Sequence, residues 1–291
     1  MNTFTEFGLL TTLQETLVEK QILRPTEIQA RAIPALLGGR SIVGIAETGS
    51  GKTLAYALPA MHHIKSFEIA GDAITLSARP RALVVVPTRE LGEQVTKAFK
   101  PFTHTTRLRV RSVLGGTTTE VAKRGLAGAF EILVATPGRL VQMLERRLVD
   151  LDDVRMLILD EADQMLDHGF LPDVTRIIQA SPQKRQLALF SATVSPAVEK
   201  LIADLFSGAE VIRSAGSHRV VPTLTTLQQL VIDGQRFPLL ERLLKKKVEG
   251  GTILFTNTRE QCDKLADQLA AAKIACVIYR GEMDKVERRQ N

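Results

Sequence analysis

Five short runs limit most strongly how this chain can fold: 41–45 (SIVGI), 81–86 (RALVVV), 131–135 (EILVA), 155–159 (RMLIL) and 186–190 (QLALF). They are apolar almost throughout and do not alternate with polar residues. A strand of that kind is covered on both faces, which is the condition of strands in a parallel sheet. Amphipathic stretches such as 89–100 and 138–148 lie between them. Strand and helix in repeated alternation give an α/β fold, a parallel sheet with helices on both faces.

A break is expected near 207–222 (SGAEVIRSAGSHRVVP), which carries Gly208, Gly216, Pro222 and small polar residues. We therefore place a first domain over 1–208, a linker over 209–222 and a second domain over 223–291. The pattern restarts after the break. It predicts a strand near 225–232, a helix near 236–248, a strand at 252–255, a helix near 259–272 and a strand at 275–279. Seventy residues are fewer than the ~100–150 of a common domain, so the second domain is expected to be incomplete. A sheet cut short would leave an open edge and an uncovered face.

Composition bears on the class of partner. With 38 Lys and Arg against 32 Asp and Glu, the net charge is +6, and most of it falls after residue 210. Bulk charge of that size does not identify a partner. No apolar run approaches the ~20 residues of a membrane span, and MNTFTEFGLL is not the start of a signal peptide. Two cysteines, Cys262 and Cys276, make neither a disulfide framework nor a zinc cluster, which favours a reducing, cytoplasmic setting.

Residues 46–53 read Ala-Glu-Thr-Gly-Ser-Gly-Lys-Thr, after a strand and before a helical pattern. Backbone N–H groups of a glycine-rich turn at a helix N-terminus point at an anion. Thr48, Gly49, Ser50 and Gly51 are placed to wrap phosphates. Lys52 reaches the β- and γ-phosphates, and the Thr53 hydroxyl ligates Mg²⁺. Ala46 takes the place of the first glycine of the general pattern. Residues 155–163 (RMLILDEAD) deliver two carboxylates at the end of an apolar strand, where open α/β sheets bind ligands. Asp160 can hold Mg²⁺ directly or through water, and Glu161 can orient or deprotonate an attacking water.

With these residues in view, the chain resembles the DEAD-box RNA helicases. The letters at 160–163 spell that family's name. Pro-Thr-Arg-Glu-Leu at 87–91, Gly-Gly at 115–116, Thr-Pro-Gly-Arg at 136–139 and Ser-Ala-Thr at 191–193 follow in its order. Residues 25–29 (PTEIQ) look like its adenine-reading motif, with Phe4 as the isolated upstream aromatic. Residues 253–258 (ILFTNT) look like the first motif of its second domain.

The resemblance implies a RecA-like P-loop sheet followed by an incomplete second RecA-like domain. It implies ATP and Mg²⁺ as cofactors and RNA as partner, held by its backbone with little sequence preference. Lys52, Asp160 and Glu161 become the catalytic set. Gln29 would hydrogen-bond the adenine edge, and Phe4 would pack on the base. Pro87, Thr88, Arg89, Gly115, Gly116, Thr136, Gly138 and Arg139 would contact RNA. Asp163, Ser191 and Thr193 would couple nucleotide state to strand separation. The implied activity is RNA-dependent ATP hydrolysis with local separation of short duplexes.

Two departures stand out. Gln21 and Ile22 occupy positions where the family usually has glycine and an aromatic. The later arginine motifs do not occur before Asn291, and Arg280 and Gly281 stand where His-Gly is common, with Arg288 matching a following arginine. An arginine finger is worth about 10³–10⁵ in rate. This chain is therefore expected to bind ATP or ADP with little turnover. A non-catalytic RNA-binding or competitor module is one rival reading, and a DNA-directed helicase or another P-loop ATPase is a second.

Other features have plainer readings. Lys245, Lys246 and Lys247 before Gly250 read as a helix end. Arg107, Arg109 and Arg111 share one strand face, as a charged sheet edge or an RNA-facing strip, with the edge favoured. His62 and His63 lack metal-ligand spacing, and Thr258 with Gln261 fits a capping box.

Overall fold

The computed structural model describes residues 3–116, 118–214, 225, 227–231, 234–246, 250–280 and 283. The chain forms two compact units, Met1–Val220 and Val221–Asn291. In the first unit a 3₁₀ turn (Phe4–Phe7) precedes α1 (Thr11–Glu19) and α2 (Glu27–Leu37). Then follow β1 (Ile42–Ile45), α3 (Lys52–Ile69), β2 (Ala82–Val85), α4 (Arg89–Thr106), β3 (Val110–Val113) and α5 (Thr119–Gly125). The unit continues with β4 (Ile132–Ala135), α6 (Pro137–Glu145), β5 (Met156–Leu159), α7 (Ala162–Asp167), α8 (Leu171–Gln179), β6 (Gln186–Ser191), α9 (Pro196–Leu205) and β7 (Glu210–Arg213).

The seven strands form one sheet in the order β3-β4-β2-β5-β6-β1-β7. Every neighbouring pair is parallel. The side-chain period of two sends alternate strand residues to opposite faces. Ala82, Val84, Ile132, Val134 and Ile158 pack with α1 to α4 in one core. Leu83, Val85, Leu133, Ala135 and Leu159 pack on the other face against side chains such as Ala122, Leu140, Met165, Ile177 and Leu201 of α5 to α9. That two-sided burial accounts for the unbroken apolar character of the five runs.

The two edge strands were not among those runs, for a physical reason. An edge strand has one hydrogen-bonded neighbour and more solvent contact, so its sequence is mixed. β3 reads VRSV and β7 reads EVIR, and only one residue of each is buried. Residues 210–213, within the expected linker, pair with β1. Of the three arginines expected on one strand face, only Arg111 lies in β3; Arg109 immediately precedes it, its carbonyl accepting from Glu131 and Ile132, and Arg107 caps α4 in the left-handed region (φ 59°).

In the second unit, α10 (Arg236–Leu244) and α11 (Arg259–Ala271) match the expected helices. The strands expected at 252–255 and 275–279 are absent among the described residues, as is a strand over 225 and 227–231. A strand exists only with a ladder partner, and apolar residues alone did not supply one. Ile253, Phe255, Val277 and Tyr279 are exposed. Gly216, Pro222, residues 226 and 232, Lys247, Gly281 and Arg288 lie outside the described residues. Thr258 Oγ1 caps α11 by accepting from the Gln261 N–H, while the Gln261 carbonyl takes the N–H of Asn257, one residue before the cap. Arg280 forms an ion pair with Asp263. No helix among the described residues is long and apolar enough to cross a membrane.

His62 and His63 serve the fold. His62 Nδ1 accepts from the Leu10 N–H at 3.2 Å, and a His63 ring nitrogen lies 2.9 Å from the Leu36 carbonyl.

Gln21 adopts φ +58°, a left-handed conformation that favours glycine. An L-residue there carries roughly 1–2 kcal/mol of strain, partly offset by the entropy a glycine loses on folding. Gln21→Gly is therefore expected to stabilise the first unit by up to about 1 kcal/mol, which equilibrium urea denaturation measures. Unchanged or lower stability would contradict this account of residue 21.

Candidate functional site

In a parallel sheet all carboxyl ends lie on one side, and ligands of open α/β folds bind there. Apart from Gln29 on α2 and Phe4 in the N-terminal 3₁₀ turn, the sequence-predicted residues follow or end six strands on that side.

β1 ends at Ile45 and leads through 46–51 into α3. Gly49 and Gly51 have φ of +83° and +92°. A Cβ at Gly51 would also overlap the Gln29 amide nitrogen, so this position requires glycine on two counts. Lys52 is buried, and its ammonium donates to the carbonyls of Ala46 at 2.8 Å and Glu47 at 3.3 Å. Ser50 Oγ donates to the Glu47 carbonyl at 2.7 Å. The loop is thus a closed turn around the lysine, with both glycines in the left-handed region.

Gln29, expected at an adenine edge, has its side chain engaged within the protein. Its carbonyl accepts from the Thr26 N–H at 2.9 Å, which completes a capping box on α2, and its amide donates to the Gly51 carbonyl at 2.9 Å. It is 3% exposed. Here it joins α2 to the phosphate loop. Phe4, expected to pack on a base, is likewise buried and meets Phe7 edge to face. Its ring is part of the core. Ile22 packs on the same core.

β5 delivers the two carboxylates. Asp160 is 2% exposed, with Oδ1 accepting from the Glu161 N–H at 3.0 Å and Oδ2 accepting from the Tyr56 hydroxyl at 2.8 Å. Burial raises the Asp160 carboxyl above the usual range, opposed by the Tyr56 hydrogen bond and the Lys52 charge. Glu161 is raised too, first by burial and then by the charge of Asp160. Glu161 holds φ +53°, a strained conformation for a side-chain-bearing residue at the start of α7.

Tyr56 was not singled out from sequence. It is fully buried, and burial followed by the Asp160 charge raises its hydroxyl well above 10. The available signal was spacing, since Tyr56 stands four residues after Lys52 and three after Thr53 on α3, within reach of each.

Asp163, Ser191 and Thr193 are brought together. Asp163 Oδ2 accepts from the backbone N–H of Thr193 at 2.9 Å and from its hydroxyl at 2.8 Å. Ser191 Oγ accepts from the Asp163 N–H at 3.3 Å and donates to the Thr193 carbonyl at 2.8 Å.

The third group spans the ends of β2, β3 and β4. Thr88 Oγ1 caps α4 by accepting from the Leu91 N–H at 3.2 Å. Arg89 donates to the Gly116 carbonyl at 3.3 Å and pairs with Glu93. Thr136 Oγ1 accepts from the Gly115 N–H at 3.0 Å. Gly138 and Arg139 lie in the first turn of α6. Arg139 donates to Gln142, while its Nε and one terminal nitrogen are enclosed without a partner among the described residues. Pro87 is buried and contributes shape, not an open contact.

With this geometry established, comparison with known proteins assigns the family. Residues 26–201 match the family model described as DEAD/DEAH box helicase. The chain belongs to the DEAD/DEAH box helicase family. It is similar to the ATP-dependent RNA helicase DeaD of Mycobacterium tuberculosis, with 36% identity over 91% of this chain and 46% of that protein. It is 38% identical to the probable ATP-dependent RNA helicase DDX46 of Homo sapiens, over 91% of this chain and 26% of that protein. The chain thus spans about half the length of the first relative and about a quarter of the second. A DEAD box protein from the hyperthermophile Methanococcus jannaschii matches it with a TM-score of 0.67 and 28% identity, over 100% of this chain and 76% of that one. The family is one of RecA-like helicase enzymes, and the seven-stranded sheet of the first unit has that architecture.

A buried carboxyl with a raised affinity for protons stabilises the fold when protonated and costs stability when ionised. For Asp160 the stabilising contribution is complete below the unfolded value near 4 and is lost as pH rises through the folded one. Asp160→Asn is therefore expected to unfold at higher denaturant than the parent at pH 8, with the gap closing toward pH 4. A gap independent of pH, or a less stable variant at pH 8, would contradict the burial argument.

Proposed function

We propose that this chain carries the core of an ATP-dependent RNA helicase, which hydrolyses ATP in response to RNA and separates short duplexes locally. The observation that supports the reading most directly is the Asp163–Thr193–Ser191 cluster. It stands between the phosphate loop of β1 and the Arg89–Gly116–Thr136 group at β2, β3 and β4. In this reading the first unit, with β7 (Glu210–Arg213) as an edge strand of its sheet, is the ATP-binding RecA-like domain, and the second unit begins the second. A cytoplasmic setting belongs to the same reading, supported by the free thiols Cys262 and Cys276.

Magnesium fits the residues present. Thr53 and Asp160 offer hard oxygen donors, and each Asp160 oxygen accepts only one hydrogen bond, which leaves lone pairs for a cation or its water. When bound, the ion would neutralise charge on the β- and γ-phosphates. Lys52 would exchange its two loop carbonyls for phosphate oxygens. The N–H groups of 48–51, at the start of α3, would bind the same anion. Glu161 would hold the attacking water and take its proton, a role its raised carboxyl suits. On the other side, Thr88, Arg89, Gly115, Gly116, Thr136, Gly138 and Arg139 would grip the RNA backbone. The unpartnered Arg139 nitrogens support this, because enclosed N–H groups without acceptors are rare and a phosphate would satisfy them. Backbone contacts of this kind carry little sequence information.

The test is ATP hydrolysis with and without single-stranded RNA, for the parent, Lys52→Ala and Glu161→Gln. The reading expects the parent to bind ATP with slow turnover that RNA raises little, Lys52→Ala to abolish nucleotide binding, and Glu161→Gln to bind ATP and lower the residual rate at least about 10²-fold. Wild-type turnover in Glu161→Gln would overturn the assignment of the base.

A further inference from the structure

The groove between α4 and the open edge of β3 belongs to none of the groups above. It encloses about 720 Å³ and is lined by one face of α4 and by residues 107–112. Lys97, Lys100, Arg107 and Arg111 line it, and all four are exposed. None has a side-chain hydrogen bond or ion pair among the described residues. The nearby acids are already taken, since Glu93 pairs with Arg89 and Glu131 with Arg109. Among the described residues β3 pairs only with β4. The carbonyls of Arg109 and Val113 face β4, where they accept from Glu131, Ile132 and Thr136. By the alternation of a parallel strand, Val110 and Ser112 turn their N–H groups to the open edge.

We propose that this groove is a second nucleic-acid surface, which holds the phosphate backbone of single-stranded RNA running on from the Arg89–Gly116 group. The proposal rests on the RNA reading of that group. Continuity supports it: α4 starts at Arg89, and β3 leads into Gly115 and Gly116. From there the groove follows α4, whose 18 residues span about 27 Å, room for several nucleotides. Charge supports it too. Four unpaired cations facing one groove repel one another until a polyanion meets them.

The experiment measures binding of fluorescein-labelled oligouridylates of ~6 and ~20 nucleotides by anisotropy, between about 50 and 200 mM salt. The proteins are the full chain and its Lys97→Gln/Lys100→Gln/Arg107→Gln/Arg111→Gln variant. Lys97→Gln/Lys100→Gln, on the exposed face of α4, serves if the fourfold variant does not fold. We expect the long oligomer to bind the fourfold variant at least about tenfold more weakly, with a salt slope shallower by up to about 3, at ~0.7 per lost contact. The short oligomer should bind both proteins alike and lose affinity only in Arg139→Ala. Equal binding of the long oligomer to parent and variant would overturn the proposal, all the more if a polyglutamate peptide binds the parent and not the variant. Failure of both oligomers to bind the parent would overturn the RNA reading itself.

Discussion

Parallel pairing of all seven strands is the constraint on which the rest depends. It gathers the carboxyl ends of the strands on one side. The order β3-β4-β2-β5-β6-β1-β7 then decides what lies between what. The candidate RNA-contacting residues follow β2, β3 and β4, and the phosphate loop follows β1. β5 and β6 separate them. Any communication between the two groups within this sheet therefore passes residues that follow β5 or end β6. Asp163, Ser191 and Thr193 are those residues, and they are joined by hydrogen bonds of 2.8–3.3 Å. Such a contiguous network has the form required of a coupling element.

The site is held at a cost that the two cores offset. Asp160 is buried where desolvation penalises its charged form, Glu161 sits in a left-handed conformation, and Lys52 is buried. One left-handed residue costs roughly 1–2 kcal/mol, about the gain from burying a single leucine or valine. Strands packed on both faces supply many such residues. Tyr56 and Gln29 are the ties between core and site. Tyr56 carries a fully buried ring with its hydroxyl on Asp160, and Gln29 fixes the loop carbonyl of Gly51 to the N-terminus of α2.

The interior of the fold was legible because buried parallel strands are written as continuous apolar runs. β3 and β7 were not, because edge strands share their composition with loops. In the second unit, apolar residues at 252–255 and 275–279 looked like strands, but pairing decides a strand and hydropathy does not. At the site, the placement of Lys52, Asp160, Asp163 and Thr193 at the ends of β1, β5 and β6 was legible because each stands at a fixed spacing after an apolar strand run. Gln29 and Phe4 were less so, since an amide and a phenyl ring serve a ligand or a core equally well. Tyr56 was missed because an aromatic on a buried helix reads as packing, and its hydroxyl gains meaning only when β5 brings Asp160 beside it.

The most direct test of the account is the free-energy coupling between nucleotide and RNA. Affinity for single-stranded RNA is measured with and without a magnesium-bound, non-hydrolysable ATP analogue, for the parent and for Thr193→Val, which removes one hydrogen bond to Asp163. The account predicts that the analogue tightens RNA binding to the parent by about 5–150-fold. It predicts that Thr193→Val loses most of that factor while keeping its affinity for each ligand alone. Full coupling in Thr193→Val, or none in the parent, would contradict it.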